Sequence, residues 1–186
     1  MKITTPIVDF IQTYKARRPL RLHMPGHKGV LLTGCEHDDI TEVAGADSLY
    51  EADGIIRESE ENAARHFGFG RTLYSAEGSS QCIRAMLYLA LLHAKENGMG
   101  RPLILAGRNA HKTFLTAAAL LDLEVLWLRP RHQSGYLSCD LSPQELEDYL
   151  TAEKPTAVYL TSPDYLGNVA DIGALAQVCH TYGALL

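Results

Sequence analysis

No stretch of the 186-residue sequence approaches the roughly twenty consecutive apolar residues that a membrane-spanning helix requires, and the amino terminus lacks the apolar core of a secretory signal. Membrane insertion is therefore not expected. Basic residues are also scarce: 17 Lys and Arg face 22 Asp and Glu, the net charge is −5, and clusters such as Lys15-Ala16-Arg17-Arg18 are short. With no broad basic face to neutralise a phosphate backbone, nucleic acid is not an expected partner. Cys35, Cys82, Cys139 and Cys179 are widely spaced and form no Cys-x-x-Cys pair, which points to reduced thiols and a cytoplasmic protein. What remains, 46% hydrophobic and 21% charged residues, is the composition of one globular domain with a sizeable core.

The first helix is marked by Ile7, Phe10, Ile11 and Tyr14, recurring at helical spacing and ending before Pro19. From Arg21 to Asp53 the chain is rich in Gly, His, Asp and Pro without periodicity, so residues 1–53 are expected to form a helix and an irregular arm. Ile56, Ala63 and Phe67 then mark a second helix, with Arg57, Glu58, Glu60, Glu61 and Arg65 assigned to its solvated faces.

Beyond Gly70, short apolar runs alternate with amphipathic helices, the pattern of a parallel α/β fold occupying residues 54–186. Strands are predicted over Arg71–Ala76, Leu103–Ala106, Glu124–Leu128 and Ala157–Thr161. Between them, Ile83, Met86, Leu87, Ala90, Leu91 and Ala94 make one helix stripe, and Phe114, Ala118 and Leu121 another. Ser142-Pro143-Gln144-Glu145 combines an N-cap, an N1 proline and a capping-box glutamate. Asp171 caps a last helix with an inner stripe of Ile172, Leu175, Ala176 and Cys179, ended by Gly183. Ala184, Leu185 and Leu186 read as the start of a further strand, so the chain is expected to be the front part of a larger domain.

Chemistry can be sought in four places. Ser75-Ala76-Glu77-Gly78-Ser79-Ser80 lies where an extended segment turns into a helix; Gly78 allows close backbone approach, and the first-turn N–H groups with the Ser79 and Ser80 hydroxyls suit a phosphate. The same serines could equally serve only as caps. Arg108-Asn109-Ala110-His111-Lys112 follows a strand end, at the edge where ligands of open α/β sheets collect, and His111 either lies against an aromatic ligand or caps its helix. Ser162-Pro163-Asp164-Tyr165-Leu166-Gly167-Asn168 forms a third loop at that edge, readable as a site or as a plain turn. In the arm, His23-Met24-Pro25-Gly26-His27-Lys28-Gly29 carries two histidines four apart, but the intervening Pro and Gly preclude a helix presenting both to one metal, and no metal site is expected.

Taken in order, these motifs resemble the major domain of the ornithine/lysine/arginine decarboxylases, pyridoxal-phosphate enzymes of the aspartate aminotransferase fold (fold type I). The resemblance runs from His23-Met24-Pro25-Gly26-His27-Lys28-Gly29 through Thr41-Glu42-Val43, Asp47-Ser48-Leu49 and Gly54-Ile55-Ile56-Arg57-Glu58 to the three edge loops. It implies a three-layer α/β domain with a mostly parallel sheet. It implies that Gly78, Ser79 and Ser80 hold the phosphate of pyridoxal 5'-phosphate, that His111 stacks on its ring, and that Ser162 belongs to the cofactor loop. It also implies a basic amino acid as substrate, a homodimer or higher homo-oligomer, and a substrate or subunit-interface role for His23 and His27. Glu77 departs from the small or amide residue that many members have before the glycine. The lysine that forms the family's Schiff base and the Asp that pairs with the pyridine nitrogen fall beyond Leu186, so no catalytic residue is assigned here and this chain alone is expected to be inactive. Lys28 and Lys112 match neither position. Other fold-type-I enzymes (aminotransferases, β-eliminating lyases, desulfurases) share the phosphate turn, and a non-catalytic phosphate-binding or interaction module is the alternative of a different class.

Overall fold

The structure is a computed structural model that describes residues 4–129 and 137–186. Among these the elements run α1 (Pro6–Ala16), α2 (Ile55–Phe67), α3 (Gly78–Glu96), β1 (Leu103–Gly107), α4 (Lys112–Leu120), β2 (Glu124–Leu128), α5 (Pro143–Glu153), β3 (Ala157–Tyr159) and α6 (Ile172–Thr181). By contacts, α2 groups with α1 and the arm, so the compact units divide between Ala76 and Glu77 rather than after Asp53.

In the first unit, α1 opens with Pro6 in its first turn, where the missing N–H has no helical partner to lose. Buried Asn62 of α2 reaches back with its amide to the Thr4 carbonyl and hydroxyl at 3.0 and 2.9 Å. The arm from residue 17 to 54 contains neither helix nor strand and is held by side chains bonded to backbone. The buried Arg21 guanidinium donates to the carbonyls of Glu36 and His37 at 3.0 and 2.7 Å and lies over the Tyr14 ring at 5.2 Å. Glu36 accepts from Thr33 N, Thr33 Oγ1 and Gly34 N at 2.6, 2.9 and 3.0 Å. The Thr33 amide dominates and outweighs the opposing effect of burial, holding the Glu36 carboxyl down at about 2.

Asp47 explains the spacing between its own motif and the one around Gly54. Gly54, at the N-cap of α2, has no side chain to cap with, and the Asp47 carboxylate substitutes by accepting from Gly54 N and Ile56 N, both at 2.9 Å. Burial pushes this carboxyl up, but the amides of Ser48, Gly54, Ile56 and Asp53 together bring it down to about 2. A Cβ on Gly54 would lie 3.3 Å from Asp47 Cγ, so glycine there keeps the approach open.

Three expectations fail in this unit. Arg71–Ala76 forms no strand: the Tyr74 amide donates to the Glu60 carboxylate at 2.7 Å and the Tyr74 hydroxyl to the Ser59 carbonyl at 3.1 Å, so an extended segment is tied to α2 by side chains instead of a ladder. Glu60 is accordingly buried, not part of a solvated face, while Phe67, assigned to the inner stripe, is exposed.

The second unit has a parallel sheet in the order β2-β1-β3, with Leu103 opposite Glu124 and Ile104 opposite Ala157. Leu185 bridges in parallel to Ala157, on the far side of β3. The two-residue period of the strands sorts side chains into two cores and gives three layers. Ile104 and Ala106 of β1 pack with Ile83, Leu87 and Ala90 of α3 and Phe114, Ala117 and Ala118 of α4. Leu105 faces the other way, with Leu146 and Leu150 of α5 and Leu175 and Cys179 of α6. Phe114, fully buried, lies 4.5 Å from the Tyr159 ring and 5.9 Å from Trp127. The predicted caps form: Ser142 and Glu145 make a reciprocal capping box, Asp171 accepts from Ala174 N at 3.0 Å, and Gly183 follows α6 with φ +72°. β3 is shorter than expected, ending at Tyr159, and Met86 and Ile172 turn outward from their helix stripes.

Candidate functional site

The amino terminus of α3 is open. Gly78 takes φ +69°, a left-handed conformation that favours glycine, and a Cβ there would meet nothing within 4 Å. Conformation, not crowding, selects glycine at this corner. Glu77, at the N-cap, is exposed and makes no side-chain cap hydrogen bond. The first-turn N–H groups have no carbonyl a turn earlier, so the helix end retains its donors and the positive end of its dipole. Ser79 is exposed and Ser80 half-buried.

His111 sits at the N-cap of α4, just after the turn that leaves β1, where Ala110 N donates to Gly107 O at 3.1 Å. Its Nδ1 accepts from Thr113 N at 3.2 Å and lies 3.0 Å from Thr113 Oγ1. Thr113 Oγ1 in turn lies 3.1 Å from Ser80 Oγ. The capping function of His111 is therefore real, yet it occupies only one ring nitrogen and leaves the exposed ring available to a ligand. Capping and stacking, alternatives on sequence alone, are compatible in one side chain. Through Thr113, the α3 corner and the β1–α4 loop meet at one edge of the sheet.

Ser162, in the loop after β3, uses its hydroxyl to accept from Ala170 N at 3.0 Å, and the Ser162–Pro163 peptide is cis. Asp164 organises the rest of that loop by accepting from Leu166 N, Asn168 N and Asn168 Nδ2 at 2.8, 2.9 and 2.8 Å. The Asn168 amide is the largest of the influences that lower the Asp164 carboxyl's pKa. Tyr159, at the end of β3, has its phenol pushed up by burial and, secondarily, by nearby Tyr165. The hydrogen bond of Ser162 thus stays within its own loop, whereas Ser80 and His111 are drawn together.

His23 and His27 belong to the first unit and serve different neighbours. His23 places Nε2 3.2 Å from Tyr14 Oη and Nδ1 2.7 Å from the Met24 carbonyl oxygen. His27 Nδ1 accepts from Gly29 N at 2.9 Å, and its Nε2 lies 3.5 Å from an Asp39 carboxylate oxygen. Among the described residues, no three His, Cys, Asp or Glu side chains gather as a metal site, and no helix is long and apolar enough to cross a membrane.

Two residues were missed from the sequence. Thr113 carries the link between corner and ring, and its position two residues after an N-cap is the signal that could have exposed it. Asn109 is 3% exposed with both side-chain polar atoms unpaired; nothing in its local sequence marks it for burial.

A parallel sheet with an apolar core and helices on each face defines a three-layer class of α/β protein. Within that class the chain belongs to the Orn/Lys/Arg decarboxylase family, whose major-domain model matches residues 5–186. An arginine decarboxylase of Bacillus cereus is 27% identical over 96% of this chain and 40% of its own length. The Bacillus subtilis arginine decarboxylase is 25% identical over 96% of the chain and 37% of its length. The chain thus spans about two-fifths of the curated relatives it matches. Among solved structures, the constitutive lysine decarboxylase of E. coli shares the fold, with a TM-score of 0.67 and 21% identity over 95% of this chain and 27% of that one.

Proposed function

We propose that the whole protein is a pyridoxal-phosphate-dependent decarboxylase of a basic amino acid, lysine, arginine or ornithine, and that these 186 residues supply its phosphate corner and ring platform. The observation that carries this reading is the hydrogen-bonded line from Ser80 through Thr113 to His111, which sets an uncapped helix terminus beside an exposed imidazole. The residues fit the group: the amides and hydroxyls at Gly78, Ser79 and Ser80 suit a dianionic phosphate, and the open space at Gly78 admits it. Bound there, the cofactor supplies an electron sink for the charge left when carbon dioxide departs.

In this reading Gly78, Ser79 and Ser80 anchor the phosphate, His111 lays its ring against the pyridine, and Ser162 borders the site from the third loop. His23 and His27 serve the substrate side or an interface with a second copy of the chain. The active protein is a cytoplasmic homodimer or larger homo-oligomer. In this reading the lysine and the pyridine-pairing Asp that the resemblance implies come from outside these 186 residues, which alone do not turn over substrate. Crystals grown with pyridoxal 5'-phosphate test the anchor: its phosphate should lie within hydrogen-bonding distance of the Gly78–Ser80 amides, and a phosphate seated elsewhere overturns the assignment. Release of carbon dioxide from lysine, arginine or ornithine by the whole enzyme, and from none by this chain alone, tests the activity.

A further inference from the structure

We propose that Thr113 is a positioning residue, tying the His111 ring to the phosphate corner and holding the imidazole as its Nε2–H tautomer. A backbone N–H can only donate, and Thr113 N points to His111 Nδ1 at 3.2 Å, so Nδ1 must carry its lone pair and cannot carry a proton. In the neutral ring the proton then resides on Nε2, facing away from α4. The Thr113 hydroxyl, 3.0 Å from the same Nδ1 and 3.1 Å from Ser80 Oγ, touches both halves of the site at once.

Burial makes this contact consequential. Thr113 is 5% exposed, so its hydroxyl has little water to turn to and must satisfy itself between His111 and Ser80. Threonine is also stiff at χ1, which fixes where the hydroxyl points once α4 is formed. Rotation of the His111 ring about its side-chain bonds would break both contacts at Nδ1. The ring plane and the Ser80 hydroxyl are consequently set as one unit before any ligand arrives, leaving Nε2–H as the ring's remaining donor. The functional meaning rests on the proposed cofactor site, but the geometry does not.

Nitrogen-15 NMR of the His111 side chain, recorded on this chain without cofactor at alkaline pH, provides the test. Wild type should show Nδ1 in the pyridine-type region and Nε2 in the pyrrole-type region; the reverse pattern overturns the tautomer assignment. Ser80→Ala should shift the His111 Nδ1 resonance in the wild-type and Thr113→Ser backgrounds, and that shift should vanish in Thr113→Val, which keeps the volume but not the hydroxyl. A Ser80→Ala shift of equal size in Thr113→Val, or no shift in wild type, overturns the tie, and Thr113→Ser guards against misfolding as the explanation. Because no cofactor is present, a failure here leaves the phosphate assignment standing, and a phosphate found elsewhere in crystals leaves this result standing.

Discussion

In the arm between α1 and α2, Arg21, Glu36 and Asp47 give the chain its path by bonding to backbone groups, whereas from Glu77 onward the path follows from strand ladders and two apolar cores. The first arrangement depends on ionised side chains bonded to backbone groups, and the second on area removed from water. The two regions are therefore held by interactions that respond to different conditions. Acid should act on one region and cavity formation on the other.

The largest effect should come from Phe114→Ala in the apolar core between the sheet and α3/α4. It removes a fully buried ring that meets Tyr159 and Trp127, and should lower stability to urea by about 3–5 kcal/mol. Gly107→Ala should cost less, about 1–3 kcal/mol, because its Cβ would fall 2.9 Å from Asn109 Oδ1 and 3.2 Å from Cys139 Cβ at the buried end of β1. Both substitutions should leave amide exchange in the arm unchanged, and a matching loss of protection at Gly34 and Ile56 would erase the contrast.

Acid should reverse the pattern. Glu36 and Asp47 ionise at about 2 in the folded chain, below their ordinary values of 4.5 and 3.8. A lowered carboxyl stabilises the fold fully above its ordinary value and loses that contribution as pH falls through the folded one. Amide protection at Thr33, Gly34, Gly54 and Ile56, taken relative to intrinsic exchange at each pH, should therefore fall between about pH 4.5 and 2, with Glu36→Gln and Asp47→Asn flattening the dependence at their own partners. The smallest effect should be Asn109→Leu. Both polar atoms of this buried amide are unpaired, so an apolar group of similar size should change stability by no more than about 1 kcal/mol, in either direction. A loss well above that, measured by urea unfolding, would show that Asn109 has a partner in solution.

The same contrast governs what could be read from the sequence. Helices and strands of the α/β unit were legible because burial imposes periods: Ile83, Leu87, Ala90 and Ala94 keep the helical one, and Ile104, Leu105 and Ala106 alternate between faces. Ser142 and Asp171 were legible because a cap bonds to an amide within its own first turn. The arm was not legible, since Asp47 reaches Ile56 nine residues away and Arg21 reaches Glu36 fifteen away, distances with no local signature. The mistaken strand at Arg71–Ala76 has the same origin: its composition suits a strand, but Glu60 of the preceding helix takes the Tyr74 amide. At the candidate site, Gly78, Ser80 and His111 stood out by their place between elements. Thr113 did not, because its importance appears only when two helix termini are brought together.

The loop following β3 is closed by its own residues, Asp164 gathering the amides of Leu166 and Asn168 while Ser162 takes that of Ala170. A segment already folded back on itself surrenders little conformational freedom when a molecule settles beside it. A molecule docking at this rim of the sheet would meet a finished surface, and the entropic penalty of shaping that rim falls on the folding of the polypeptide.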